Sequence, residues 1–271
     1  MSVIALTSPG DAPGATTAAF AMALSWPDRV LLAECSPAGG QILRGYFQCS
    51  TPPVGGLWDL ALAAVHGPDD AEAALWEQTI ALDEQRQRLL LPGLVDPFLA
   101  TELSSATWEN LAAAFSALPF TVLADVGPIG PQQPFALLRA ADLVVLVMRP
   151  TLAQIAAAQP RLARLRTALG PTAPVALWLI GERPYTARDI RAQLGEFALT
   201  FVVPTDTKVA DVLSHGGGSD WTRRRIEVSQ LMRASRAAGQ AIARFTSAQR
   251  RALTAPASIE AGPTTPREAS R

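Results

Sequence analysis

Between the apolar run Val3-Ile4-Ala5-Leu6 and an alanine-rich stretch lies Ser8-Pro9-Gly10-Asp11-Ala12-Pro13-Gly14-Ala15-Thr16-Thr17, whose residue types and spacing are those of a loop that holds phosphate. A strand, a glycine-containing turn and a helix opening on Thr-Thr set backbone N–H groups and the positive end of a helix dipole against anionic oxygens. In the G-x-x-x-x-G-K-[ST] form of this loop a lysine neutralises the β/γ-phosphates, and the register Gly14-Ala15-Thr16-Thr17 puts alanine in its place. No shift of register restores the charge, because Lys208 is the only lysine in 271 residues. Asp11 adds a negative charge on the phosphate side, and Pro13 removes one backbone donor. Two unit charges about 4 Å apart interact by about 4 kcal/mol at an effective dielectric near 20, so loss of the lysine weakens phosphate binding by about a thousandfold.

A loop of this kind needs a parallel sheet behind it, and the rest of the chain supplies one. Short β-branched runs at about 2–7, 29–34, 88–92, 120–125, 143–148, 175–181 and 199–203 alternate with longer alanine-rich segments. Helices are expected at about 15–25, 56–66, 104–117, 152–169, 186–194, 208–214 and 222–247. The run Leu143 to Met148 is continuously apolar, which is the pattern of a strand covered on both faces. The spacing Thr186-x-x-Asp189 has the form of a capping box and starts a helix after Pro184. The stretch 66–88, charged and without clean period, reads as helix and loop. The fold class is therefore α/β: a doubly wound, mostly parallel sheet flanked by helices, of P-loop NTPase type. One domain covers residues 1–247; from 248 to 271 the apolar periodicity is lost and a disordered tail is expected.

Five stretches in this order resemble the ParA/MinD-type ATPases. Residues 8–17 are similar to the family's deviant phosphate loop, K-G-G-x-G-K-T-T, with Thr16 and Thr17 matching, Gly10 in place of the signature lysine and Ala15 in place of the phosphate lysine. Val30-Leu31-Leu32-Ala33-Glu34-Cys35-Ser36-Pro37-Ala38-Gly39-Gly40 is similar to a strand ending in D-x-D-P-x-G-G, with Ser36 where the water-activating aspartate would stand. Phe120 to Pro128 resembles the strand ending in D-x-x-[PG], so Asp125 and Gly127 take switch positions beside Ser36. The runs 141–151 and 176–182 resemble the next two strands and their loops.

The resemblance implies a bacterial cytoplasmic positioning or assembly factor. Its degenerate nucleotide site would comprise Gly10, Asp11, Gly14, Ala15, Thr16 and Thr17, with Thr16 and Asp125 touching magnesium only if Mg-nucleotide binds. The altered lysine and switch positions imply a non-hydrolysing pseudo-ATPase with no catalytic residues and no tightly bound cofactor, holding ATP and magnesium weakly. Its partners would be proteins, either a second copy or a lysine-bearing ParA/MinD-like ATPase, and these would bring it to a membrane or nucleoid. Two alternatives stand beside this. One is an active ATPase whose missing charge comes from an arginine or a partner's lysine in trans, with Arg44 and Arg149 as the arginines just beyond strand ends. The other is a DNA-binding module using the arginine-rich C-terminal helix.

Composition agrees with a buried core and excludes several classes. The chain is 49% hydrophobic and 17% charged, with a formal net charge of −1, so no global attraction to nucleic acid or anionic lipid exists. Two cysteines and no charged leader point to a reducing compartment, and no apolar stretch approaches 18 residues. His66 and His215 stand alone and read as surface residues, and Cys35 reads as an inert thiol because no base accompanies it. Leu231, Ala234, Ala238, Ile242 and Phe245 share one helical face, with Arg233, Arg236, Gln240 and Arg244 opposite, the pattern of a terminal helix packed on its own sheet. DNA or membrane contact through that helix is not favoured; Arg223-Arg224-Arg225 is the more exposed cluster for an acidic partner.

Overall fold

A computed structural model describes residues 2–10, 14–50, 55–217 and 225–254. Eight strands form one sheet: β1 (Val3–Ser8), β2 (Val30–Glu34), β3 (Ile80–Ala81), β4 (Arg88–Leu91), β5 (Thr121–Pro128), β6 (Leu143–Met148), β7 (Val175–Ile180) and β8 (Leu199–Val203). Their spatial order is β3-β4-β2-β5-β1-β6-β7-β8, parallel throughout except for the β3–β4 edge pair. β2 and β4 lie on one side of β1, with β5 inserted between β1 and β2; from β6 onward the chain builds on the other side of β1. The order thus reverses around β1, and the crevice outside the carboxyl ends at this reversal is where α/β sheets hold ligands.

Nine helices longer than one turn are described: α1 (Ala15–Ser25), α2 (Gly56–Ala64), α3 (Pro68–Leu75), α4 (Ser105–Ala117), α5 (Phe135–Ala140), α6 (Leu152–Leu169), α7 (Ala187–Leu194), α8 (Thr207–His215) and α9 (Gln230–Thr254). One face of the sheet is covered by α2 to α7 and buries Leu57, Trp108, Phe115 and Leu162. The other is covered by α1, α8 and α9 and buries Phe20, Met22, Trp26 and Trp178. This double cover explains the unbroken apolar runs: every residue of β1, β2 and β6 is buried. α1 lies between the sheet and α9, so it is apolar almost all round and carries no charged side chain.

Several elements depart from expectation for identifiable reasons. β3 is two residues long, too short to leave a period, and the 66–88 stretch also holds α3, which starts with Pro68 in its first turn and Asp69 and Asp70 against the dipole. α5 is only six residues long. The helix expected over 222–247 is interrupted at Val228–Ser229, where Ser229 Oγ accepts from Met232 N at 3.2 Å and starts α9 afresh. α9 then continues through residues 248–254, which the sequence placed in the tail. Arg250 holds that end to the sheet by a two-pronged ion pair with Asp142, at 2.7 and 3.0 Å, and Asp142 also accepts from Val3 N at 2.8 Å. A contact between residues 108 positions apart gives no local signal. The capping box at Thr186 and Asp189 is present as read, and its hydrogen bonds hold the Asp189 carboxyl below the ordinary carboxylate value. The apolar stripe of α9 faces inward and Arg233, Arg236, Gln240 and Arg244 face solvent.

Candidate nucleotide crevice

The loop from β1 to α1 sits at the centre of the sheet's carboxyl edge. Ser8 Oγ donates to Gly10 O at 2.7 Å, and the chain resumes at Gly14, with Asp11 outside the described residues. Gly14 has φ +129, and a Cβ there would lie 2.5 Å from Ile180 Cδ1, so only glycine fits both the turn and the approach to β7. The first helical bond runs from Ala18 N to Gly14 O. The N–H groups of Ala15, Thr16 and Thr17 therefore have no intrahelical acceptor, and among the described residues no side chain caps them. Ala15 opens the helix and is buried at 7% exposure.

Below the loop, Thr16 Oγ1 donates to Asp125 Oδ2 at 2.5 Å, and Gly127 N donates to Asp125 Oδ1 at 3.2 Å. Burial raises the Asp125 carboxyl above its ordinary value of 3.8, against the lowering by these two hydrogen bonds. Ser36 lies against Gly127, which has φ +69; a Cβ on that glycine would collide with Ser36 Oγ. Thr7 Oγ1 secures the same turn by donating to Gly127 O at 2.8 Å. Thr17 Oγ1 meets Ser214 Oγ at 3.1 Å, which joins the start of α1 to the end of α8. The fold thus brings Gly10, Gly14, Ala15, Thr16, Thr17, Ser36, Asp125 and Gly127 to one edge.

Sequence reasoning missed Glu34 as a site residue. Its buried carboxylate accepts from Gln41 N at 2.6 Å, Ile42 N at 3.0 Å and Gly93 N at 3.3 Å, fastening the turn after β2 to the end of β4. Burial raises its carboxyl, the three N–H donors lower it, and the neighbouring Asp125 charge raises it. An acid ending an apolar strand was the available signal. Also missed was the β8–α8 loop, where Pro204-Thr205-Asp206 ends a strand and Asp206 caps α8 by accepting from Val209 N at 3.3 Å. It closes a cavity of about 250 Å³ lined by Gly14, Thr17, Arg149, Trp178, Ile180 and Asp206 among others. Cys35 is fully buried, and desolvation beside two carboxyls drives its thiol well above the ordinary value. His66 and His215 are exposed, the latter 3.0 Å from Asp211. Arg225 is exposed, whereas Arg223 and Arg224 lie outside the described residues.

A doubly wound parallel sheet with this loop at its reversal point is a P-loop NTPase-like α/β fold. More narrowly, it is the ParA/MinD-like fold. A ParA family ATPase from Chlorobium tepidum TLS superimposes with TM-score 0.71 at 14% identity, over 88% of this chain and 97% of that one. The septum site-determining protein MinD complexed with Mg-ADP from Pyrococcus horikoshii OT3 gives 0.69 at 13%, over 92% and 98%. The MinC:MinD cell division protein complex of Aquifex aeolicus gives 0.65 at 16%, over 88% and 94%. No protein-family model matches the sequence, and no curated protein matches it. Among the described residues no helix is long and apolar enough to cross a membrane.

Proposed function

We propose that this protein is a cytoplasmic positioning or assembly factor of ParA/MinD type that binds Mg-nucleotide weakly, does not hydrolyse it, and acts through protein–protein contacts. The observation that carries the reading is Ala15, a buried methyl group at the first position of α1, where phosphate chemistry needs a cation. Gly10 and Ser36 change the two other charged positions of the family pattern in the same chain. The frame itself fits a nucleotide: the first amides of α1, which have no intrahelical acceptor, a glycine turn, and the Thr16 hydroxyl and Asp125 carboxylate, which are the oxygen donors of a hard cation. A bound Mg2+ would be held by those two residues and would screen the phosphates. The MinD of Aquifex aeolicus is found complexed with MinC, which supports a protein partner for a chain of this fold. The partner is a second copy or a lysine-bearing relative, and it brings the protein to a membrane or nucleoid.

A lysine that reaches across to the partner's phosphates would make association depend on nucleotide, and Gly10 removes it. Sedimentation velocity at several protein concentrations should therefore give the same distribution with and without Mg-ATP. A monomer that dimerises only on addition of Mg-ATP would overturn the reading.

A further inference from the structure

The crevice contains a cation that the phosphate loop itself lacks. Arg149 follows β6, the strand hydrogen-bonded to β1, and its side chain lines the 250 Å³ cavity together with Gly14 and Thr17 at the start of α1. It is exposed and makes no side-chain hydrogen bond, ion pair or ring contact among the described residues. The acids around the cavity are otherwise engaged: Asp206 caps α8, and Asp211 meets His215. Glu182 and Arg183 share the outer rim with Arg149, and among the described residues Glu182 forms no ion pair with it. Arg44 also lies beside the loop, lining a neighbouring space of about 520 Å³ with Gly14, Thr16 and Thr17, but its guanidinium is engaged: it donates to Val95 O and lies 3.7 Å from where a Cβ on Gly39 would stand. Trp178, fully buried, forms part of the apolar wall of the 250 Å³ cavity beside Ile180 and Val203.

We infer that Arg149 supplies, within the same chain, the phosphate-neutralising cation that Ala15 withholds, so that the crevice retains a nucleoside diphosphate or triphosphate. The inference rests on reading residues 8–17 as a phosphate frame. An arginine approaching from β6 meets the phosphates from the side of the base-sized cavity, whereas a lysine at position 15 would meet them from the helix start. Its planar fork suits two phosphate oxygens at once. The charge is thereby kept for binding and removed from the helix position, which keeps ligand without restoring the usual transition-state contacts.

Calorimetric titration with Mg-ADP tests this on the full-length wild type, Arg149→Ala, Thr16→Ala, Arg44→Ala, Arg149→Ala combined with Ala15→Lys, and Arg233→Ala as a distant loss of one charge. Arg149→Ala should weaken binding by about thirtyfold. Arg233→Ala should leave it unchanged, and Ala15→Lys should recover most of the loss. Wild-type affinity in folded Arg149→Ala, a larger loss from Arg44→Ala, or no saturable binding by the wild type at millimolar Mg-ADP would overturn the inference. Failure of the frame itself is distinguishable: Thr16→Ala would then bind as wild type, and Ala15→Lys would recover nothing.

Discussion

Replacing Ala15 by lysine together with Asp11 by glycine should tighten Mg-ATP binding by about a hundredfold. The change adds one positive charge and removes one negative charge at the phosphates. Either charge within about 4 Å contributes up to about 4 kcal/mol at an effective dielectric near 20, and screening with side-chain ordering reduces the sum. About 2.7 kcal/mol of net gain corresponds to a hundredfold. The frame needed to use the charge is present in Gly14, whose φ of +129 sets the turn, and in the amides that open α1 without an intrahelical acceptor. Room exists on both sides, in the 250 Å³ cavity toward Trp178 and in a second space of about 520 Å³ bounded by Thr16, Gln41 and Ser214. Titration calorimetry checks the gain, with circular dichroism confirming the fold. A folded double variant with no gain in affinity would mean that residues 8–17 are a turn and not a phosphate frame.

Asp125→Asn should make the protein more stable at neutral and mildly alkaline pH, by about 1 to 3 kcal/mol, while its midpoint near pH 4 stays close to wild type. Asp125 is 2% exposed, and burial raises its carboxyl above the ordinary 3.8; Glu34, also buried, is raised as well. A carboxyl raised in the folded state holds its proton where the unfolded chain has already released it. Its favourable contribution is complete below the unfolded value and is lost as pH rises through the folded value. Wild-type stability from these two groups therefore falls as pH climbs above the ordinary carboxylate range. Asparagine keeps an oxygen to accept from Thr16 Oγ1 and carries no charge to bury. Urea unfolding at pH 4, 6 and 8 checks this: an Asp125→Asn variant less stable than wild type at pH 8 would show that the buried charge is held favourably.

Much of the architecture was legible because both faces of the sheet are covered. Runs such as Val30 to Ala33 and Leu143 to Met148 then become continuous apolar blocks, and α1 begins and ends where the Ala15–Ser25 pattern does. What escaped was fixed by contacts between distant residues or by very short elements. The end of α9 depends on Arg250 reaching Asp142, and β3 exists only because Ile80 and Ala81 find Leu90 and Leu89. The placement of Thr16, Asp125 and Gly127 at the sheet's carboxyl edge was legible from the Thr-Thr that opens α1 and from a strand running through aspartate to glycine. Glu34 was not, because an acid at a strand end gives no indication that three backbone N–H groups converge on it. Arg149 and Arg44 had equal standing in sequence, since both follow strands. Only the third dimension shows that, although both line spaces beside Gly14, the Arg44 guanidinium is tied to Val95 while that of Arg149 has no hydrogen-bond partner among the described residues.

Loss of hydrolysis with the fold retained is read out by phosphate release. Purified wild-type protein and a Thr16→Ala variant, incubated with Mg-ATP at concentrations up to millimolar and with and without DNA or anionic vesicles, should release phosphate at the same background rate. Steady turnover by the wild type that Thr16→Ala abolishes would contradict it.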